Sequence, residues 1–75
     1  MEYLLNLAPI NTKLRICKIE EVNDKLLKRF SELGIIVGQT ISIISKPNKQ
    51  NIIVCVRGYL LALDEIVSSK VVVYV

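Results

Sequence analysis

The stretch RFSELGIIVG (residues 29–38) decides the fold of this chain. It predicts the last turns of an amphipathic helix, a glycine that stops the helix, and a second glycine that opens a strand. Gly34 suits the left-handed cap that ends many helices, because glycine adopts that conformation without steric cost. We therefore expect Gly34 and Gly38 to be structural turn residues on either side of Ile35, Ile36 and Val37.

The predicted helix extends back to about residue 23. Apolar residues recur at helical spacing with polar residues between them: Val22, Leu26, Leu27, Phe30 and Leu33. Asn23 is a residue type that caps helix N-termini. The negative charge of Asp24 in the first turn interacts favourably with the helix dipole. The pattern thus predicts one short α-helix over about residues 23–33.

Short strands are predicted on both sides of this helix. Leu14, Ile16 and Ile19 indicate a first strand, and the three-residue step between the last two predicts a β-bulge. After the helix, Ile41 and Ile43 alternate with a serine, which is typical of a strand with one buried face. A polar turn over residues 46–51 separates this strand from the next.

The second half of the chain predicts two or three more strands and a helical turn. Ile52, Val54 and Val56 share one strand face, and Ile53, Cys55 and Arg57 share the other. Gly58 is a third structural turn, beyond which Leu61 and Leu63 continue the inward pattern. A short helical turn near residues 64–68, capped by Asp64, precedes a closing β-branched strand over residues 70–75.

Together these elements predict a mainly β domain. Four or five short strands and one helix in 75 residues favour a small closed or nearly closed barrel. We expect residues 1–75 to form one domain, because this length is near the lower limit for independent folding.

The order and spacing of these landmarks resemble those of the FeoA family over nearly the whole chain. The matching segments are Leu7-Ala8-Pro9, the strand 13–19, the helix with its Leu33-Gly34-x-x-x-Gly38 step, residues 52–58, Leu61-Ala62-Leu63 and the closing strand. The resemblance implies an SH3-like barrel with a helix inserted after the first strand. It also implies an accessory role in bacterial ferrous-iron transport, with the cytosolic part of the membrane transporter FeoB as partner.

The chain departs from the family pattern at two positions. Asn11 stands where members usually carry glycine, and asparagine tolerates the left-handed conformation, so we expect the turn to persist. Ser68 replaces a frequent alanine of similar size. The same module also resembles the SH3-like domain of iron-dependent repressors, which leaves a transition-metal-binding regulatory domain open as the alternative function.

Composition argues against several other functions. The chain has no histidine and no Gly-rich phosphate loop, so we expect no enzyme activity. The net charge of +3 comes from scattered basic residues, with three Tyr, one Phe and no Trp, which does not favour nucleic-acid binding. The apolar runs are too short for membrane insertion or a signal peptide, and we expect a cytoplasmic protein with reduced cysteines.

Metal binding rests on weak candidates. Cys17 and Cys55 are far apart in sequence, and a structural zinc site usually needs four ligands. Glu20, Glu21 and Asp24 cluster near the helix start, where acidic charge is favourable without any metal. A weak Fe²⁺ or Zn²⁺ site at these residues, or a cysteine site shared between subunits, stays open.

Partner binding has better candidates. Ile35, Ile36 and Val37 lie in a short loop that cannot easily bury all three side chains, so we consider them as a partner contact. The alternative is that two of them belong to the core and one is exposed without binding a partner. Tyr59 and Leu60 follow Gly58, and the inward positions of Leu61 and Leu63 direct Leu60 outward. The apolar content of 52% also favours exposed apolar surface, which marks a partner or a homo-oligomer interface.

Overall fold

The computed structural model describes residues 1–20 and 22–75. The strands are β1 (Glu2–Leu4), β2 (Leu14–Ile19), β3 (Thr40–Ser45), β4 (Asn51–Val56), β5 (Tyr59–Asp64) and β6 (Val71–Tyr74). The helices are α1 (Asp24–Leu33) and α2 (Glu65–Ser68), and a 3₁₀ turn spans Leu5–Leu7. The mainly β fold with one inserted helix and a helical turn near residue 65 is therefore confirmed.

The strands form one antiparallel sheet in the order β1-β6-β2-β3-β4-β5. The sheet curls around the core in the manner of an SH3-like barrel, but in the described part of the chain the ladder does not close between β1 and β5. The sequence did not predict β1, because three residues without alternation carry too little periodic signal. The predicted β-bulge is confirmed by a register shift between Ile16 and Lys18 in the β2–β6 ladder.

The inward strand faces supply most of the core. The buried apolar residues are Leu5, Ala8, Leu14, Ile16, Phe30, Ile35, Ile41, Ile43, Ile52, Val54, Val56, Leu63, Val71 and Val73. The predicted alternation in β4 is confirmed, since Ile52, Val54 and Val56 are buried while Ile53 and Cys55 are half-buried. Burying a Val, Leu, Ile or Phe side chain stabilises the fold by about 1.5–3 kcal/mol.

A cap at each end determines where helix α1 begins and where it stops. The Oδ1 atom of Asn23 accepts a hydrogen bond from the Leu26 N–H at 2.8 Å, which confirms the predicted N-cap. At the other end Gly34 adopts the predicted left-handed conformation with φ +88°. Within the helix only Phe30 is fully buried, and Leu27 remains 45% exposed. None of the helices in the described residues is long and apolar enough to cross a membrane.

Polar residues fix the remaining turns. Asn11 has φ +55°, so its left-handed conformation is confirmed. The side chain of Asp64 accepts a hydrogen bond from the Val67 N–H at 2.8 Å and thereby caps α2. The hydroxyl of the buried Ser68, which the family's alanine would lack, donates a hydrogen bond to the Asp64 carbonyl at 2.8 Å. The buried hydroxyl is therefore satisfied.

Candidate partner-binding site

The end of α1 determines where the loop 35–39 goes. The Gly34 N–H donates to the Ser31 carbonyl at 3.0 Å, and the Ile35 N–H donates to the Phe30 carbonyl at 2.8 Å. These two bonds are those of a Schellman motif, in which the residue after the glycine packs back on the last helical turn. Ile35 accordingly lies in the core with Phe30 and has no exposed surface. The prediction that Ile35 contacts a partner is therefore wrong, because its side chain is buried in the core.

The next residues turn sharply at the surface. The Gln39 N–H donates to the Ile36 carbonyl at 3.1 Å, and Gly38 has φ +94° at the third position of this turn. Glycine is favoured there because the left-handed region is open to it. The Gly38 N–H also donates to the Ile16 carbonyl at 2.8 Å, which fastens the turn to β2. Ile36 is left 43% exposed and Val37 63% exposed, so two of the three apolar residues of the loop reach solvent, not one.

The β4–β5 hairpin carries the second apolar pair. Its two-residue loop has positive φ at both positions, +54° at Arg57 and +83° at Gly58, as type I′ hairpin turns require. Tyr59 is 71% exposed just beyond this loop. Leu60 lies opposite Cys55 on the outer sheet face and is 66% exposed, as its predicted outward position implies.

Both apolar pairs lie at the same end of the barrel. The β3–β4 ladder begins with Ile41 opposite Val56, so the preceding loop and the following hairpin turn extend beyond the same end. The Arg57 side chain reaches from the hairpin turn to the end of α1, because a methyl group placed on Gly34 would stand only 2.7 Å from its Cδ atom. We call this region the apolar end; it holds Ile36, Val37, Tyr59 and Leu60. Tyr59 is opposite Val56 on the inner face of the sheet, and Leu60 is opposite Cys55 on the outer face.

Two arginines flank the apolar end. Arg15 donates a hydrogen bond from Nη1 to the Gly38 carbonyl at 2.7 Å, which holds its guanidinium beside the turn. Arg57 lies over the C-terminus of α1, where a positive charge is favourable for the helix dipole. An apolar centre with arginines at its rim is typical of protein interfaces, and it favours a partner with acidic groups around an apolar patch.

The structure does not bring the two cysteines together. Cys17 lies on β2 and Cys55 on β4, and β3 separates these strands. Cys17 donates its thiol to the Val72 carbonyl at 3.4 Å. Partial burial, aided by the negative charge of Glu2, raises the pKa of the Cys17 thiol above its usual 9.0. A raised pKa opposes formation of the thiolate that binds metals.

The two described acidic residues at the helix start, Glu20 and Asp24, belong to no metal cluster either. Glu20 pairs with Lys18 at 2.9 Å, and Asp24 lies in the first turn of α1. Glu21, which the sequence placed in the same cluster, lies outside the described residues. Across residues 1–20 and 22–75, no three Cys, Asp or Glu side chains are grouped closely enough to hold a metal ion.

A groove along α1 is a feature that the sequence did not reveal. It has a volume of about 660 Å³ and is lined by Asn23, Lys25, Leu26, Lys28, Arg29, Glu32 and Leu33. The helical periodicity of the sequence indicated an apolar stripe along α1. Periodicity alone does not show how much of that stripe the barrel covers and how much stays open as a groove. Leu26 and Leu33 are only half-buried, so the groove has an apolar floor and a mainly basic rim.

Comparisons with known proteins relate the whole chain to one family. The family model described as the FeoA domain matches residues 3–75. A crystal structure of an iron uptake regulatory protein, FeoA, superimposes with a TM-score of 0.84 at 23% identity, covering 97% of this chain and 96% of the other. At that identity the likeness shows the fold alone. No curated protein matches the chain.

Two further solved structures are more similar in sequence. A FeoA-like protein from Clostridium acetobutylicum has a TM-score of 0.82 at 28% identity, covering 99% of this chain and 86% of the other. FeoA of Stenotrophomonas maltophilia, in complex with zinc, has a TM-score of 0.78 at 26% identity, covering 99% and 89%. The latter is described as a prokaryotic SH3 domain protein and a candidate activating factor of ferrous-iron transport.

Proposed function

This chain belongs to the FeoA family, and we propose that it is a non-enzymatic, cytoplasmic accessory protein of bacterial ferrous-iron transport. In this role it binds the cytosolic part of a FeoB-like membrane transporter and modulates the activity or assembly of that transporter. The description of the Stenotrophomonas maltophilia relative as a candidate transport-activating factor supports the same process.

The observation that carries the proposal is the apolar end. Val37, Tyr59 and Leu60 are each more than 60% exposed, and none of them is required to fill the core. Large apolar side chains grouped at one end of a small domain mark a binding surface, because their burial by a partner is favourable. Arg15 and Arg57 at the rim supply the charge that orients an acidic partner surface.

The test is calorimetric titration of this chain against the cytosolic G domain of the FeoB-like transporter, with GDP, with a GTP analogue and without nucleotide. We expect binding in at least one nucleotide state. Val37→Asp and Tyr59→Ala should each weaken it by about 5- to 150-fold, as truncated interface anchors do. Neither change removes a buried side chain, so the variants should keep the far-UV circular dichroism of the native chain.

Leu7→Asp is the matched control. Leu7 is 66% exposed, as Leu60 is, but it lies beside the 46–50 turn at the opposite end of the β3–β4 ladder. We expect this variant to bind like the native chain. Absence of binding in every nucleotide state, or equal losses for Leu7→Asp and Val37→Asp, would contradict the proposed contact surface.

A second candidate function is transition-metal binding in a regulatory domain, and the zinc complex of the Stenotrophomonas maltophilia relative favours it. It predicts that Fe²⁺ or Zn²⁺ raises the melting temperature of this chain by mass action. The shift should be lost in Cys17→Ser or Cys55→Ser. No shift at millimolar metal, measured under reducing conditions, counts against this candidate.

A further inference from the structure

Helix α1 is held to the barrel along a narrow stripe. Phe30 is its one fully buried residue, and the pairs of elements that pack most closely in the described chain do not include α1. Leu26 and Leu33 pack against the core beside Phe30 but are only half-buried. One flank of the helix therefore carries apolar side chains that the described part of the barrel covers incompletely.

The groove along α1, which we call the α1 groove, lies on that flank. At 3.6 residues per turn, Leu26, Arg29 and Leu33 fall within about 60° of one another around the helix axis. Lys25 follows next to Arg29 on the side away from Phe30. The opposite flank, at positions 24, 27 and 31, carries no basic residue. The positive charge of α1 is thus concentrated on the side where the apolar floor is open.

The charges at the rim of the α1 groove have no partner within the described chain. The rim carries three basic residues, Lys25, Lys28 and Arg29, against one acidic residue, Glu32, so its described residues have a net charge of +2. Across residues 1–20 and 22–75, none of the three basic side chains forms an ion pair. Their charges are available to a binding partner, and they favour an acidic one.

The shape of the α1 groove fits a helix better than a small molecule. Its volume of about 660 Å³ is that of many small-ligand sites, but all its described lining residues come from α1 and its N-cap. A small molecule lying there would therefore keep much of its surface in water. The ten residues of α1 give a length of about 15 Å, which matches two to three turns of a second helix packed alongside.

We propose that the α1 groove binds an acidic, amphipathic helical segment of a partner protein. Apolar side chains of that segment pack on Leu26 and Leu33, and carboxylates on its flank pair with Lys25 and Arg29. A second copy of α1 fits poorly, because Arg29 lies between the two leucines and would meet Arg29 of that copy. The inference does not rest on the proposed function, since the residues of the apolar end are not part of the groove.

Titration of the ¹⁵N-labelled full chain with a synthetic helical peptide tests the proposal. The probe is a capped peptide of about 14 residues with leucines at i, i+4 and i+7, glutamates on the flanks and alanines elsewhere. Its control carries lysine in place of every glutamate. We expect amide shift changes centred on residues 25–33 and a dissociation constant at least about 10-fold lower for the glutamate peptide. Added salt should raise that constant, because the paired charges are exposed.

Charge reversal at the rim of the α1 groove locates the site. Arg29→Glu should raise the dissociation constant of the glutamate peptide by at least about 10-fold. Lys49→Glu is the matched control, because it makes the same charge change at an exposed position of the 46–50 turn. We expect it to change the constant by less than about 3-fold. Neither variant replaces a buried side chain, so both should unfold at the denaturant concentration of the native chain.

Four results would overturn the proposal. They are the absence of glutamate-peptide binding up to about 1 mM, equal affinity for the two peptides, equal losses for Arg29→Glu and Lys49→Glu, and shift changes confined to the apolar end. If the chain instead bound phosphatidylglycerol vesicles through Arg29 and ignored the peptide, the groove would be assigned to a lipid surface and the proposal would equally fail. Transporter binding is tested separately by Val37→Asp, so either idea can fail without the other.

Discussion

Replacing Gly34 by alanine should destabilise this protein more than the same change at its other left-handed glycines. Gly34, Gly38 and Gly58 have similar backbone angles, with φ of +88°, +94° and +83°. An L-residue in this region costs about 1–2 kcal/mol, so the strain alone is nearly the same at all three positions. They differ in the space that surrounds a new methyl group.

The extra cost at Gly34 comes from Arg57. The added Cβ would stand 2.7 Å from Cδ of Arg57, whereas no atom of residues 1–20 and 22–75 lies within 4 Å of a Cβ at Gly38. The Arg57 side chain must therefore leave its position over the helix end, at a rotamer cost of about 0.5–1.5 kcal/mol. We expect Gly34→Ala to lower the free energy of unfolding by about 1.5–3.5 kcal/mol, against about 1–2 kcal/mol for Gly38→Ala.

Chemical and thermal denaturation of four variants measures this difference. They are Gly34→Ala, Gly38→Ala, Arg57→Ala and the double variant Gly34→Ala/Arg57→Ala. In a domain of this size, 1 kcal/mol corresponds to about 4–8 °C in melting temperature. Removing the Arg57 side chain should reduce the Gly34→Ala penalty to that of Gly38→Ala. Equal losses at the two glycines, or a penalty that Arg57→Ala leaves unchanged, would refute the reasoning.

Two further expectations concern the helix cap at Asn23 and the half-buried thiol of Cys17. Asn23→Ala should lower the free energy of unfolding by about 1 kcal/mol, because it removes the acceptor of the Leu26 N–H. Asn23→Asp should keep the native stability, because aspartate also accepts this hydrogen bond. Denaturant titration measures the stability of both variants. Because the folded pKa of Cys17 is raised above 9.0, its contribution to stability is complete below pH 9 and declines as the pH rises through the folded value. Cys17→Ser should remove that part of the alkaline decline, and an identical decline in both proteins above pH 9 would contradict the assignment.

Local patterns in the sequence were enough for the helix and its ends. The cap at Asn23, the stop at Gly34 and the cap at Asp64 depend on side chains and backbone within four residues, so composition and spacing predict them. The inward faces of β2 to β4 followed for the same reason, since alternation is a property of each strand alone. The family resemblance supplied the SH3-like architecture that these local patterns did not specify.

Of the five residues predicted to contact a partner, four are exposed and Ile35 is buried. Three adjacent apolar residues look equivalent in the sequence, yet the Schellman motif turns Ile35 into the core and leaves Ile36 and Val37 outside. Tyr59 and Leu60 were chosen from alternation beyond Gly58, and their exposure agrees with that choice. Whether these four residues bind a partner stays a prediction.

The sequence by itself determined the helix, its caps, the turn glycines and the buried face of most strands, because short-range sterics and hydrogen bonds act between neighbours along the chain. Only the tertiary structure decided that β5 lies at an open edge, that Arg57 covers Gly34, and that two apolar pairs share one end of the barrel. These features depend on which distant strands pair. That choice is made by packing the whole core, and no local period in the sequence records it.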